Sequence, residues 1–151
     1  MTLPVYSFKT ILLGNGSAIK IAFLKRYCYN IFNPSERLTV GVDFHVKMVE
    51  LDNKRCKLRL WDVGGEERFR LLLPQYCKGA NGAFFLYDIT DQSSLNHVSE
   101  WIEIIRENAG DIPIVLIRSK LDLKEYREVS RDDGILVVKN YNFAFLFSYH
   151  S

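Results

Sequence analysis

Gly14-Asn15-Gly16-Ser17-Ala18-Ile19-Lys20-Ile21 joins a glycine turn to a lysine at a spacing suited to phosphate binding. The template is G-x-x-x-x-G-K-[ST]. Its backbone N–H groups wrap the phosphates, its lysine adds a point charge and its hydroxyl reaches magnesium. Gly14 and Lys20 stand at the first glycine and the lysine. Ile19 replaces the second glycine, and Ile21 replaces the hydroxyl residue. A side chain at 19 crowds a place where glycine lets the backbone approach closely. Ile21 offers no oxygen to a cation that takes oxygen ligands. Taken alone, the stretch reads equally as a strand-to-helix turn with a surface lysine.

The elements around it must hold that turn. Ile11 to Leu13 is a short apolar run and reads as a buried strand. Ile19 to Tyr29 reads as a helix, with Ile19, Ala22, Phe23 and Tyr27 on one face. Strand, glycine loop and helix together present N–H groups and a helix N-terminus to an anion. Asn30 to Thr39 is polar and broken by Pro34, so a loop is expected. Phe44 to Leu51 and Cys56 to Leu60 then alternate as strands around an Asp52-Asn53 turn, which implies an antiparallel hairpin. Val63-Gly64-Gly65 should break the second strand. Leu71 to Cys77 is a candidate helix in which Pro74 limits regularity.

Gly82 to Tyr87 is a continuous apolar run, as in a parallel strand covered on both faces. Asp91 to Ser94 opens a helix whose Leu95, Val98, Trp101, Ile102 and Ile105 repeat at helical spacing up to Gly110. Pro113 to Ile117 is another strand. Ser130 to Asp133 resembles a capping box ahead of a helix through Asn140, and Asn142 to Ser148 is a last strand. The alternation predicts a three-layer α/β domain with a mostly parallel sheet. Right-handed crossovers place the glycine-loop strand near its centre. Gly14, Asp62, Asp88 and Ser119 each follow an apolar run and should meet at the carboxyl ends of the strands, where such sheets bind ligands. All but Asp88 suit a nucleotide site.

A chain of 151 residues, 48% apolar and 25% charged, suits one soluble domain with a sizeable core. A net charge of +2 gives no strong field for nucleic acid or an anionic membrane, and no nucleic-acid partner is expected. Cys28, Cys56 and Cys77 are odd in number, lack metal-ligand spacing and fit reduced thiols of a cytoplasmic protein. His45, His97 and His150 share no metal spacing either. No run is long enough to span a bilayer. No glycine follows Met1 and no prenylation cysteine ends the chain, so no intrinsic membrane anchor is expected.

Four further stretches follow Lys20 in order: Thr39-Val40-Gly41-Val42-Asp43-Phe44, Trp61-Asp62-Val63-Gly64-Gly65-Glu66-Glu67-Arg68-Phe69, Ser119-Lys120-Leu121-Asp122 and Ser148-Tyr149-His150. Together they resemble the Ras superfamily of small GTPases, and the Rab branch most closely. TVGVDF is similar to the Rab first switch and WDVGGEERFR to the Rab WDTAGQERFR, while its VGG looks more like the Arf branch. The resemblance runs from Phe8 to Ser148. It implies a P-loop GTPase fold: a mostly parallel six-stranded sheet with one antiparallel strand. It further implies one small-GTPase-like domain over 1–151, truncated at the C-terminus with the last helix missing.

The resemblance also implies GTP or GDP as ligand, magnesium as cofactor, slow GTP hydrolysis and a switching role. The nucleotide contacts would be Gly14, Asn15, Gly16, Ser17, Ala18, Ile19, Lys20, Ile21, Thr39, Gly65, Ser119, Lys120, Asp122, Ser148 and Tyr149. Lys20 would meet the β- and γ-phosphates. Thr39 and Asp62 would serve the metal, and the Gly65 N–H would touch the γ-phosphate. Asp122 would accept the two N–H donors of guanine, a pair that adenine lacks. Lys20, Thr39 and Glu66 would carry hydrolysis. Effector and regulator proteins would bind through segments 30–44 and 63–77.

The departures from the pattern cluster at the site. Ile19 and Ile21 weaken phosphate and metal binding. Glu66 stands where the family has a water-orienting glutamine, Ser119 where N-K-x-D has asparagine, and Tyr149 where S-A-K has a small residue. They leave a second reading open, a degenerate relative that works as a protein-interaction module with weak or no nucleotide binding. A third reading takes Gly14-x-Gly16 as a dinucleotide fingerprint. It fails at Ile19 and at the hairpin, which leaves no acidic residue after a second parallel strand.

Overall fold

The computed structural model describes residues 5–14, 23, 27, 42–63, 71–89, 93–96, 98–119, 131–141, 143 and 145–148. Among these, six strands form one sheet: β1 (Val5–Leu13), β2 (Val42–Leu51), β3 (Lys54–Val63), β4 (Gly82–Asp88), β5 (Ile114–Ser119) and β6 (Phe145–Ser148). Their order is β2-β3-β1-β4-β5-β6. Only the β2–β3 pair is antiparallel. The expected α/β sheet is therefore the observed one, with β1 inside it. The helices are α1 (Leu73–Cys77), α2 (Ser93–Asn96), α3 (Val98–Ala109) and α4 (Arg131–Asn140). None of the described helices is long and apolar enough to cross a membrane.

β1 is longer than its apolar run. Val5 to Phe8 are exposed and join the strand because they pair with Arg55 to Leu58 of β3, not because they are buried. Ile11, Leu12 and Leu13 have no exposed surface, since β4 joins on the other side from Thr10 onward. β3 likewise runs on through Val63. The hairpin closes on Asp52 (φ 50°) and Asn53 (φ 62°). Two consecutive left-handed residues define the type I′ loop, whose twist matches that of paired strands. Pro74 sits in the first turn of α1, where its missing N–H costs no intrahelical bond. The expected strand from Asn142 shortens to Phe145–Ser148.

Strand alternation divides the core. Ile11, Leu13, Ala83, Phe85, Tyr87, Ile114 and Leu116 face one layer, where Leu73 and Cys77 of α1 and Val98, Trp101, Ile102 and Ile105 of α3 pack on them. Leu12, Leu60, Leu86 and Ile117 face the other with Phe23. Phe23 and Tyr27 are helical and stack at 5.5 Å, as expected for one face of the helix after the glycine loop. α3 stops at Gly110 (φ 79°), a left-handed position that favours glycine. Arg106 then donates to the Ile112 carbonyl at 2.6 Å and pairs with Asp111 at 3.1 Å, directing the chain into β5.

Lys9 fastens α1 to this frame. Its ammonium donates to the Lys78 carbonyl at 2.8 Å and lies 5.6 Å from the Trp61 ring centre. Asn81 binds both backbone polar groups of Lys9 at 2.8 Å. Burial lowers the Lys9 pKa below the usual lysine value; the Cys77 thiol opposes the shift and Arg59 adds to it. Burial likewise pushes the Cys77 thiol up to about 11, against the pull of Lys9.

Ile105 has no exposed surface, whereas Leu136 is 53% exposed. Ile105→Ala should cost about 2–5 kcal/mol in urea unfolding through the cavity it leaves. Leu136→Ala should stay within about 0.5 kcal/mol of wild type.

Candidate nucleotide site

Parallel pairing brings the strand ends to one side of the sheet. Leu12 pairs with Asp62, Leu13 with Phe85, Asp88 with Ser119, and Arg118 with Ser148. Because β2 is antiparallel, its first residue Val42 lies opposite Val63, the last of β3. The chain ahead of β2 and the chain after β3 therefore depart from this same side. Of the expected site residues, Gly14, Asp62, Ser119 and Ser148 are brought to it. Asn15, Gly16, Ser17, Ala18, Ile19, Lys20, Ile21, Thr39, Gly65, Glu66, Lys120, Asp122 and Tyr149 lie outside the described residues.

Gly14 is buried at the exit of β1 with φ 150°. A Cβ there would stand 2.6 Å from the Leu86 carbonyl oxygen of β4, closer than real Cβ contacts come. The first glycine of the motif is thus demanded by the neighbouring strand as well as by any phosphate. Asp62 has no exposed surface. A buried carboxylate at the strand ends supplies the hard oxygen that a divalent cation prefers. On the donor chemistry of Asp62, the described part of the site fits a divalent metal. Asp88, which the sequence reading set aside, is also buried at this side, one residue beyond Tyr87.

A second feature joins the site's β3 arm. Trp61 packs on Phe44 with ring centres 4.9 Å apart and on Tyr76 at 5.6 Å. Phe44 remains 43% exposed. Trp61 is thus both core and surface, while Trp101 is core alone at 1% exposed. Register could have revealed this cluster: a hairpin closed at Asp52-Asn53 places Phe44 opposite Trp61. The Tyr76 contact crosses from β3 to α1 and has no short-range signature.

A six-stranded, mostly parallel α/β sheet whose first strand ends in a close-packed glycine, with a buried aspartate beside it, has the architecture of the phosphate-loop class. The Ras family profile matches residues 9–148. The chain is 39% identical over 142 residues to "GTP-binding protein ypt3" of Schizosaccharomyces pombe, covering 93% of this chain and 66% of that one. It is 37% identical over 142 residues to "Ras-related protein Rab-8" of Diplobatis ommata, covering 93% and 68%. It is also 37% identical over 143 residues to human "EF-hand calcium-binding domain-containing protein 4B", covering 94% of this chain but only 20% of that protein. The chain belongs to the Ras family, and the relatives it resembles include Rab proteins. Members of that family bind GTP and GDP with magnesium and act as molecular switches. This chain spans one fifth of the human relative and about two thirds of the other two.

Gly14→Ala should destabilise the fold by about 1–3 kcal/mol, because β4 must shift to admit the methyl group. Urea unfolding without nucleotide measures this. An unchanged midpoint would show that β4 yields freely.

Proposed function

We propose that this chain is a guanine-nucleotide-dependent switch whose phosphate and metal contacts are weakened and whose GTP hydrolysis is slow. The observation that carries the reading is the convergence of Gly14, Asp62, Ser119 and Ser148 on one side of a Ras-family sheet. Bound nucleotide with magnesium supplies the charge that orders the two switch segments. The chain's own contribution is positional. N–H groups after Gly14 and the Lys20 ammonium hold the phosphates, Thr39 and Asp62 hold the metal, and Gly65 contacts the terminal phosphate. Lys120 lies along the base and Asp122 reads its N–H pair, with Ser119, Ser148 and Tyr149 completing that end.

Ile19 and Ile21 weaken this grip for the reasons of volume and missing oxygen given above. Glu66 can accept a hydrogen bond from the attacking water, but its charge repels the terminal phosphate, so hydrolysis is slow. Effectors and regulators bind across 30–44 and 63–77, for which the exposed Phe44 beside Trp61 and Tyr76 offers an apolar anchor.

A second reading, an interaction module with little nucleotide affinity, is favoured by that aromatic surface together with the two isoleucines. Thermal unfolding separates the two. At a hundredfold excess over its dissociation constant, GDP with magnesium should stabilise the wild type by about 2.7 kcal/mol. That corresponds to a midpoint rise of about 5–10 °C in a domain of this size. Lys20→Ala should abolish the rise. Ile19→Gly with Ile21→Ser should tighten magnesium-dependent binding at least tenfold. Protection that appears only in the double variant assigns the natural chain to the module reading; protection in neither removes the nucleotide from both.

A further inference from the structure

Arg55, Lys57, Arg59 and Trp61 recur every second residue of β3 and therefore stand on one face of the sheet. Parallel pairing sets Lys9 of β1 beside Arg59 and Ser7 beside Lys57. On the other flank, β2 sets Val46 beside Arg59, Met48 beside Lys57 and Glu50 beside Arg55. Four cations thus share a small area, with Glu50 as the single acid in register and only at the hairpin end.

Beyond Glu50 beside Arg55, no described acid stands in register with this row. Among the described residues, Arg55, Lys57 and Arg59 have no ion-pair partner. Arg59 Nε is buried without a hydrogen bond. Lys9 directs its ammonium to the Lys78 carbonyl and the Trp61 ring, neither of which is charged. Like charges side by side on paired strands destabilise a sheet. The repulsion is felt at Lys9, whose pKa burial lowers and Arg59 lowers further, against the opposing effect of Cys77.

We infer that this cationic ladder is a docking site for an extended acidic protein segment. An extended chain repeats its side chains on one face about every 6.6–6.8 Å, the spacing of the β3 rungs themselves. Carboxylates at alternate positions of the incoming chain would meet Arg55, Lys57 and Arg59 in turn. Met48, 44% exposed, borders the row and offers apolar contact to the residues between. A cavity of about 240 Å³ lined by Met48, Val49, Glu50 and Arg55 gives room for one side chain at the hairpin end. The row is also recessed: Lys57 and Arg59 are half-buried, and Arg59 Nε has no accessible surface. A narrow chain reaches such charges, whereas a planar layer of lipid headgroups does not. The ladder adjoins Trp61, which packs on Phe44 and Tyr76, so its occupant would lie next to a partner held by segments 30–44 and 63–77.

The probe is fluorescein-labelled (Glu-Thr)4, followed by anisotropy at low salt. The wild type should bind it, and raising the salt should weaken binding. Arg55→Ser with Lys57→Ser should lose about tenfold or more in affinity, equivalent to about 1.4 kcal/mol. Arg55→Ser alone changes an exposed residue, leaves folding intact and should lose about threefold. Lys47→Ser with Lys54→Ser removes two cations from the opposite face of the same hairpin and should change affinity less than twofold. Equal losses in the two double variants, or no binding by the wild type, would overturn the proposal. So would phosphatidylserine vesicles that capture the wild type but not Arg55→Ser with Lys57→Ser while the peptide stays unbound.

Discussion

The close passage of β1 along β4 governs the molecule. At Gly14 the gap leaves no room for a methyl group, because the Leu86 carbonyl lies where one would go. That contact seats β1 inside the sheet with a parallel neighbour on each side. The segments following β1, β3, β4, β5 and β6 then leave from a single side.

Two halves of the sheet do different work. From Ile11 of β1 through β4 and β5 the side chains are mostly apolar and buried against both layers. Around β2 and β3 the sheet projects past its covering layers. There Phe44, Met48 and Leu51 stay exposed and basic residues crowd one face. Lys9 sits at the boundary. Its bond to the Lys78 carbonyl and its approach to Trp61 join α1 to both β1 and β3. The stable half positions the strand ends, and the projecting half offers surface.

Much of this was legible in the residues. The Gly82–Tyr87 run announced a strand covered on both faces, and the hairpin turn at Asp52-Asn53 fixed the register that places Phe44 against Trp61. The spacing of Leu95, Val98, Trp101, Ile102 and Ile105 marked the buried side of the helices before β5. What escaped depends on pairing across long sequence separations. Val5 to Phe8 carry no burial pattern and become strand only through β3. The need for glycine at position 14 comes from a carbonyl 72 residues away, so the motif alone hides its structural cause. Asp88, by contrast, was expected at the strand ends and is buried there, level with Ser119. The charge ladder is invisible to composition, because a net charge of +2 averages over acids placed elsewhere.

Family membership, sheet order and the converging strand ends favour one view of the chain, as a Ras-family domain that retains a guanine nucleotide despite Ile19 and Ile21. That view is tested most directly by equilibrium titration of the nucleotide-free wild type with a fluorescent GDP analogue, with and without magnesium, in competition with GTP and ATP. It predicts saturable binding that GTP displaces and ATP does not, with only a modest gain from magnesium. Displacement by ATP as readily as by GTP, or no saturable binding at all, would contradict it.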